Sequence, residues 1–555
     1  MRRLRRQLIA LTVVVLIALL AIASWLPVRH ARELWRVRHD AETIEMAQAW
    51  SRLRLWPAQY HQLLAATYLD VHNRAAARPH LDALARGGRL WISALPKEEV
   101  ARRLGYEEFL AYDAASHERD TNEVLLYRCA AQIATGHLDE AEATLNMVER
   151  QAPRLSDSEA DRRGRLSLHE AIEQRKQGSY PLILDRNGQP IALYQIANHD
   201  LIAINRDFDS LIDARAGALT FGAQLPRLGV NDTIETTLDP AIQKAALQAL
   251  GGFRGALVAI DPQTNEILAI ASNRGRGDLA NLALEQQYEP GSIVKVLTGL
   301  NALESGVDVR SMFPYDCKGD LLIDGRHFAD WIGTGHGVLP SIDDALAESC
   351  NIAFADIGLR LGADRLHRFM SAAGFDQQAN LGVLQVPLGR NVGQTVNRYE
   401  TALYSIGLMH ESVNALHVAM IGSMMANRGV MTTPRLLRAR HSLLGEVTMQ
   451  PPAQMKTTLG TPAHAEAIVQ AMVAVTTSPK GTGRRAVVDG VPMAMKTGTA
   501  GERANGGLEA LIVAFAPVDH PRIAFGISAE DAGPAEYAGA KIAHDFVAAW
   551  RLLPR

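Results

Sequence analysis

Glu289-Pro290-Gly291-Ser292-Ile293-Val294-Lys295, running on through an apolar segment to Leu303, is the most informative part of this 555-residue chain. The pattern predicts a helix over 293–303 with Ser292 at its mouth. Positions i and i+3 of a helix share a face, so a hydroxyl at 292 and an amine at 295 come within hydrogen-bond reach. A serine at a helix start also has free backbone N–H groups and the positive end of the helix dipole beside it, where an oxyanion is stabilised. A lysine can act as a base by losing its proton, which an arginine in practice cannot do. Only nine of the 57 basic residues are lysine, which sets Lys295 apart. Taken alone, the same four residues also describe a helix cap followed by a solvated lysine.

Two further constellations lie downstream. Ser349-Cys350-Asn351 follows Gly335-His336-Gly337 and a helical stretch. A second Ser-x-Asn, Ser412-Val413-Asn414, fits the same pattern, but only Ser349 lies soon after Ser292 within the helical middle of the chain. Lys496-Thr497-Gly498-Thr499 ends a run, Pro492 to Met495, that reads as a strand. Strand alternation puts Lys496 and Thr497 on opposite faces, and a glycine at 498 would let a substrate backbone approach closely. Three fixed adjacent residue types make this the most specific of the three patterns.

The flanks supply the scaffold. Pro240 to Leu250 reads as a helix with proline in its first turn. Ala256–Ile260 and Ile267–Ile270 form a hairpin about Asp261-Pro262-Gln263-Thr264-Asn265. Ala510–Ala516 and Arg522–Ser528 read as adjacent strands, and Ile542, Phe546 and Trp550 form one stripe of a closing helix. Strands from both ends enclosing a helical middle, about 292–425, give an α/β (α+β) domain with a helical insertion.

Ser-x-x-Lys, Ser-x-Asn and Lys-Thr-Gly stand in this order, 57 and 147 residues apart, and so resemble the penicillin-binding transpeptidase and serine β-lactamase fold. The phrases TTLDPAIQKAAL (236–247), GALVAIDPQTNEILAIAS (255–272), YEPGSIVKVLTGLNALESG (288–306) and MMANRGVMTTP (424–434) strengthen the likeness. No segment resembles a glycosyltransferase module, so the resemblance is to monofunctional, class B-like members. It implies an antiparallel sheet flanked by helices, and Ser292 as a nucleophile attacking the penultimate D-Ala of a peptidoglycan stem peptide. Lys295 would take the serine proton, helped by the charge of Lys496. Ser349 would relay a proton to the leaving group, and Asn351 would hold the substrate amide and Lys295. Lys496, Thr497, Gly498 and Thr499 would bind the terminal carboxylate, with the N–H groups of Ser292 and Thr499 as oxyanion hole. Stem peptides ending in D-Ala-D-Ala and β-lactams are the implied ligands; no cofactor or metal is implied, since the eighteen histidines show no ligand spacing such as HExxH. The acceptor stays open: an amine makes a D,D-transpeptidase, water a D,D-carboxypeptidase or β-lactamase. A non-catalytic β-lactam sensor or scaffold, working through the front of the chain, is the reading from another class.

That front departs from the family, whose members carry a β-rich pedestal there. The organisation expected is a tail at 1–7, a transmembrane anchor at 8–26, a helical domain at 27–175, a small β-containing connector at 176–230 and the transpeptidase domain at 231–555. Leu8 to Leu26 has no charge over nineteen residues and follows a start with four arginines, long enough to cross a bilayer; a cleaved signal ending near Ala21-Ile22-Ala23 is the competing reading. Either one sends the rest to the outer face of the inner membrane, where thiols can oxidise. Within the helical region, Gly136, Ala141, Leu145, Val148 and Pro153 match a tetratricopeptide helix pair. Tyr68, Ala77, Leu81 and Leu84 echo it, with Pro79 expected to break the second helix. Such pairs offer a groove to a protein partner; an alanine-rich bundle is the plainer alternative. A turn at Asp185-Arg186-Asn187-Gly188 marks a hairpin in the connector. The formal net charge of −3 argues against nucleic acid, and Arg274-Gly275-Arg276-Gly277 reads as a solvated loop. Cys317 and Cys350 are either one bridge or two thiols. Gly407 to Ser412, GLMHES, replaces the glycine-rich turn of many relatives.

Overall fold

The computed structural model describes residues 2–51, 56–87, 93–151, 158–274, 280–391, 397–501 and 507–553. Side chains at 2–11, 17, 18 and 20–22 lie outside this description, as do Pro153 and 275–277. The chain forms two compact units, one of residues 1–180 with 442–446, the other of 181–441 with 447–555.

The first unit is helical. Its leading helix, Arg2–Arg36, contains Leu8 to Leu26, and its far end places Val28, Ala31 and Trp35 in the interior with Tyr60 and Leu63. Among the described residues no helix is long and apolar enough to cross a membrane; several side chains of the 8–26 segment lie outside the description. Two helical hairpins follow, Pro57–Asp70 with Arg74–Arg86 and Asn122–Ala134 with Leu138–Gln151. Asn73 and Thr121 cap the helices that follow them, each accepting a backbone N–H three residues on. Gly136, at φ +84°, turns the second hairpin. Ala141, Leu145 and Val148 then bury one face against Leu125, Cys129 and Ile133. Pro79 does not end its helix, which runs on to Arg86. It sits in the second turn, where it forfeits only the bond to the carbonyl of Ala75.

The second unit is built on a five-stranded antiparallel sheet, in the order Ala494–Ala500, Glu509–Ala516, Ile523–Ala529, Gly255–Asp261, Glu266–Asn273. These strands are apolar at almost every position because both faces are covered. The helix Ala415–Ala426 lies on one face, so close that a Cβ on Gly526 would meet the Ala415 carbonyl at 2.4 Å. The helices Pro240–Leu250 and Ala538–Arg551 pack together on the other. Ile542 and Phe546 are buried as the stripe predicts. The helical insertion separates the second and third strands in sequence, as expected.

The segment read as a connector is not a module of its own. Its strands Ser179–Leu184, Pro190–Gln195 and Asp200–Ala203 are three of six in a second sheet, completed by Thr233–Thr236, Leu437–His441 and Val447–Met449. Ile183 pairs in parallel with Ile234, a pairing that no local turn signal announces.

Candidate active site

The helix predicted after Ser292 spans Val294–Glu304, entered through a tight turn at Gly291–Ile293. This turn packs against the strand Ala494–Ala500, an edge strand of its sheet. A Cβ on Gly291 would lie 2.7 Å from the Thr499 carbonyl, and one on Gly498 would lie 2.6 Å from the Pro290 carbonyl and 2.9 Å from Ile293 Cγ2. Gly498 is therefore required by the protein's own nucleophile turn, where the sequence reading had expected room for a substrate. An edge strand keeps alternate N–H groups unpaired, and here it runs alongside Ser292.

Lys295 is fully buried. Its Nζ donates to the Ser349 carbonyl (2.7 Å), to Asn351 Oδ1 (2.6 Å) and to Ser349 Oγ (3.3 Å). Lys496, also buried, donates to Ser349 Oγ (2.9 Å) and to the Thr497 carbonyl (2.9 Å). One serine hydroxyl thus lies between two amines, and residues 295, 349, 351 and 496 form a single connected cluster. Ser292 Oγ makes no hydrogen bond to another described residue, and the serine is half-buried at the edge of this cluster. Lys496 pairs across the sheet with Val513 and Thr497 with Ile512, which puts the two on opposite faces as alternation requires. Thr497 Oγ1 lies 2.7 Å from Thr482 Oγ1, and Thr499 Oγ1 accepts the Ala535 N–H (3.0 Å). The competing Asn414 is occupied elsewhere, capping the helix Ala415–Ala426 and donating to the carbonyls of Leu284 and Pro387.

The Ser-x-Asn segment is held at some strain. Ser349 has φ +59°, uncommon for a residue with a side chain, and it joins the helices Ile342–Ala347 and Asn351–Leu361. Asp330, which no motif marks, caps the second helix: its Oδ2 accepts the N–H of Asn351 (2.8 Å) and of Ile352 (3.3 Å). Burial raises the Asp330 carboxyl, but the His336 hydrogen bond and the Lys295 charge outweigh it and hold it below its ordinary range. Burial pushes Lys295 down to about 8 although Asp330 favours its charge. Lys496, with no carboxylate among the groups acting on it, is pushed down by burial and by Lys295. Both amines are thus held below the ordinary lysine range, each by the loss of its water and Lys496 also by the charge of its neighbour.

A second group stands directly behind Asn351. One ligand atom each from Cys317, Asp330, His336 and Cys350 lies within 4.8 Å of the others, all buried. The two sulfurs are 3.2 Å apart as thiols, and His336 reaches Asp330 (3.1 Å) and Glu348 (3.2 Å) through its two ring nitrogens. Two thiols, an imidazole and a carboxylate make a closed four-donor set of the kind that holds zinc structurally, and Glu348 supplies the outer carboxylate that orients such a histidine. The set was not legible in sequence because its donors come from separate strands, loops and a helix cap with no recurrent spacing.

The chain belongs to the family described as the penicillin binding protein transpeptidase domain, which it matches over residues 255–550. Among curated proteins it is similar to the peptidoglycan D,D-transpeptidase PbpA of Mycolicibacterium smegmatis, 28% identical over 60% of this chain and 73% of that one. It is also similar to the peptidoglycan D,D-transpeptidase MrdA of Acinetobacter baumannii, 28% identical over 59% of this chain and 56% of that one. Of solved structures, PBP2 of Pseudomonas aeruginosa in complex with WCK 5153 shares the fold at a TM-score of 0.57 and 24% identity, covering 68% of this chain and 96% of that one. The imipenem acyl-enzyme of penicillin-binding protein A from M. tuberculosis does so at 0.55 and 24%, covering 67% and 98%.

Proposed function

We propose that this protein is a peptidoglycan D,D-transpeptidase working through an acyl-enzyme on Ser292. The observation that carries the reading is the Ser349 hydroxyl held between Lys295 and Lys496 beside the Ser292 turn. Ser292 Oγ bonds to the carbonyl carbon of the penultimate D-Ala while its proton passes to Lys295. The C–N bond to the last D-Ala then breaks, and the leaving amine takes a proton relayed through Ser349. Thr499 accepts the Ala535 N–H, which leaves its own O–H to donate to the substrate carboxylate, with Lys496 alongside. The negative charge of that carboxylate favours the proton on Lys496, and a charged Lys496 favours the neutral amine on Lys295. Substrate binding itself would thus prepare the base. The N–H groups of Ser292 and Thr499 stabilise the oxyanion, each donor worth about 2.7–4 kcal/mol in such sites. The amine of a neighbouring stem then takes the acyl group and restores the serine.

The anchor belongs to the same reading: residues 1–7 stay on the cytoplasmic side, 8–26 cross the inner membrane and 27–555 stand outside it, where stem peptides are exposed. The two helical hairpins are tetratricopeptide-like and take a segment of a cell-wall synthesis protein.

The test is covalent labelling of the purified protein by a fluorescent penicillin, followed by product analysis with a stem peptide and an amine acceptor. Ser292→Ala is expected to lose the label with its melting temperature unchanged, and the unaltered chain to form the amide product. Labelling that survives the substitution refutes the nucleophile, and release of free acid alone makes the protein a carboxypeptidase.

A further inference from the structure

The 404–413 segment, which carries GLMHES (407–412) where many relatives have a glycine-rich turn, supports the approach to the nucleophile. Gly291 donates its N–H to the Gly407 carbonyl (3.0 Å), and Tyr288 exchanges both backbone hydrogen bonds with Val413 (2.9 Å each). The N–H of His410 donates to Glu289 Oε1 (3.0 Å). Gly407, at φ +84°, lies so close that a Cβ there would fall 2.1 Å from the Gly291 carbonyl oxygen. Tyr288, Glu289 and Gly291, three of the four residues before Ser292, are thus held by this one loop.

Inside the loop is an acid with no counter-charge. Glu411 is 1% exposed. Its Oε2 accepts the Met409 N–H (2.9 Å), closing the loop on itself, and its own backbone N–H also bonds to the carboxyl, while Oε1 is buried without a hydrogen-bond partner among the described residues. The titratable groups around it are Glu289, from the segment before Ser292, Tyr404, from the helix Arg398–Tyr404, and the exposed His410, whose imidazole is turned to Glu289 (3.1 Å); none supplies a cation to Glu411 itself. A buried carboxylate without a cation or a full set of donors is strongly disfavoured, so such a group stays neutral or leaves the interior. Burial, with Glu289 adding to it, pushes this carboxyl up to about 8.

We propose that Glu411 is a positioning residue for acylation that works only as the neutral acid: protonated, it keeps the 407–413 loop closed beneath Gly291, and once ionised it leaves the interior and loosens the turn that carries Ser292. The inference rests on the assignment of Ser292 as nucleophile. It adds an alkaline limit to the reaction that Lys295, a base more effective as pH rises, would not impose.

The test follows the rate of labelling by a fluorescent penicillin from pH 6 to 10 in the full chain and in Glu411→Gln and Glu411→Ala. The glutamine variant keeps shape and neutrality. It is expected to match the unaltered chain within about twofold below pH 8 and to continue upward where the unaltered chain declines. The alanine variant is expected to be slower by about tenfold at every pH, the rate equivalent of one lost buried hydrogen bond. Hydrogen exchange of the 404–413 amides at pH 9, compared at equal pH, is expected to be faster in the unaltered chain than in Glu411→Gln. Loss of the Lys496 proton lowers the rate in both proteins alike, so a decline in Glu411→Gln at the same pH and of the same steepness as in the unaltered chain, or equal exchange in the two, overturns the proposal. Failure of the unaltered chain to label at all instead overturns the nucleophile assignment beneath it.

Discussion

Two buried lysines, one hydroxyl apart, set the chemistry of this site. Each ammonium has lost its water, and only Lys295 has a carboxylate, Asp330, nearby to offset that loss. A shift from the usual 10.5 to about 8 on Lys295 corresponds to about 3 kcal/mol in favour of the neutral amine. An arginine at this position would be unable to deliver a free base. Lys295→Arg is therefore expected to reduce penicillin acylation at least about a thousandfold, the combined loss of a proton acceptor and of its fit among Ser349 and Asn351. The sign of the pH dependence follows: the proton-accepting form of Lys295 accumulates as pH climbs through about 8, so the rate rises over that range. The Glu411→Gln background exposes this rise without the opposing decline, and a flat profile there places the base elsewhere. That Lys295, Ser349, Asn351 and Lys496 share one cluster could be anticipated from the sequence, since each stands in a short local pattern of fixed residue types. Asp330, Thr482 and Glu411 could not be anticipated, since an aspartate in a loop or a threonine in a turn acquires its meaning only from what folds against it.

At the level of elements, the active site is a junction of a helix mouth, an edge strand and a strained inter-helix link. The strand hairpins and the closing helix were readable from alternation and the i, i+4 stripe. The parallel pairing of Ser179–Leu184 with Thr233–Thr236, and the passage of the helix Arg74–Arg86 through Pro79, were settled by tertiary packing against local propensity. The link at Ser349 is steadied by the Cys317, Asp330, His336 and Cys350 group at the start of Asn351–Leu361. Protein isolated without chelator is expected to carry close to one equivalent of zinc, a closed four-donor site of this type being structural. Elemental analysis checks this. Asp330→Ala is expected to lose the metal together with a helix cap, costing roughly 1–2 kcal/mol of stability for the cap alone. Metal-free protein in which both thiols react with a thiol reagent after unfolding would leave the group as a hydrogen-bonded cluster.

For the molecule as a whole, the two units answer to different sequence signals. The second carries the motifs, and its fold could be read from them. The first shows only helical periodicity, from which hairpins follow but no task. Carbonate washing of cell membranes tests the proposed anchor: the full-length chain is expected to stay in the pellet, and a soluble chain beginning just after Ala23 would instead mean a cleaved signal. The helix Arg2–Arg36 runs from that apolar stretch through Pro27 to Val28, Ala31 and Trp35, which are already packed in the interior of the first unit. With a rise of about 1.5 Å per residue, its 35 residues form a rod of roughly 50 Å. If its first half is embedded in lipid, the helical unit has no slack tether: it hangs on a helical stalk whose one weak point is Pro27, where the missing N–H lets the packed end swing on the embedded one.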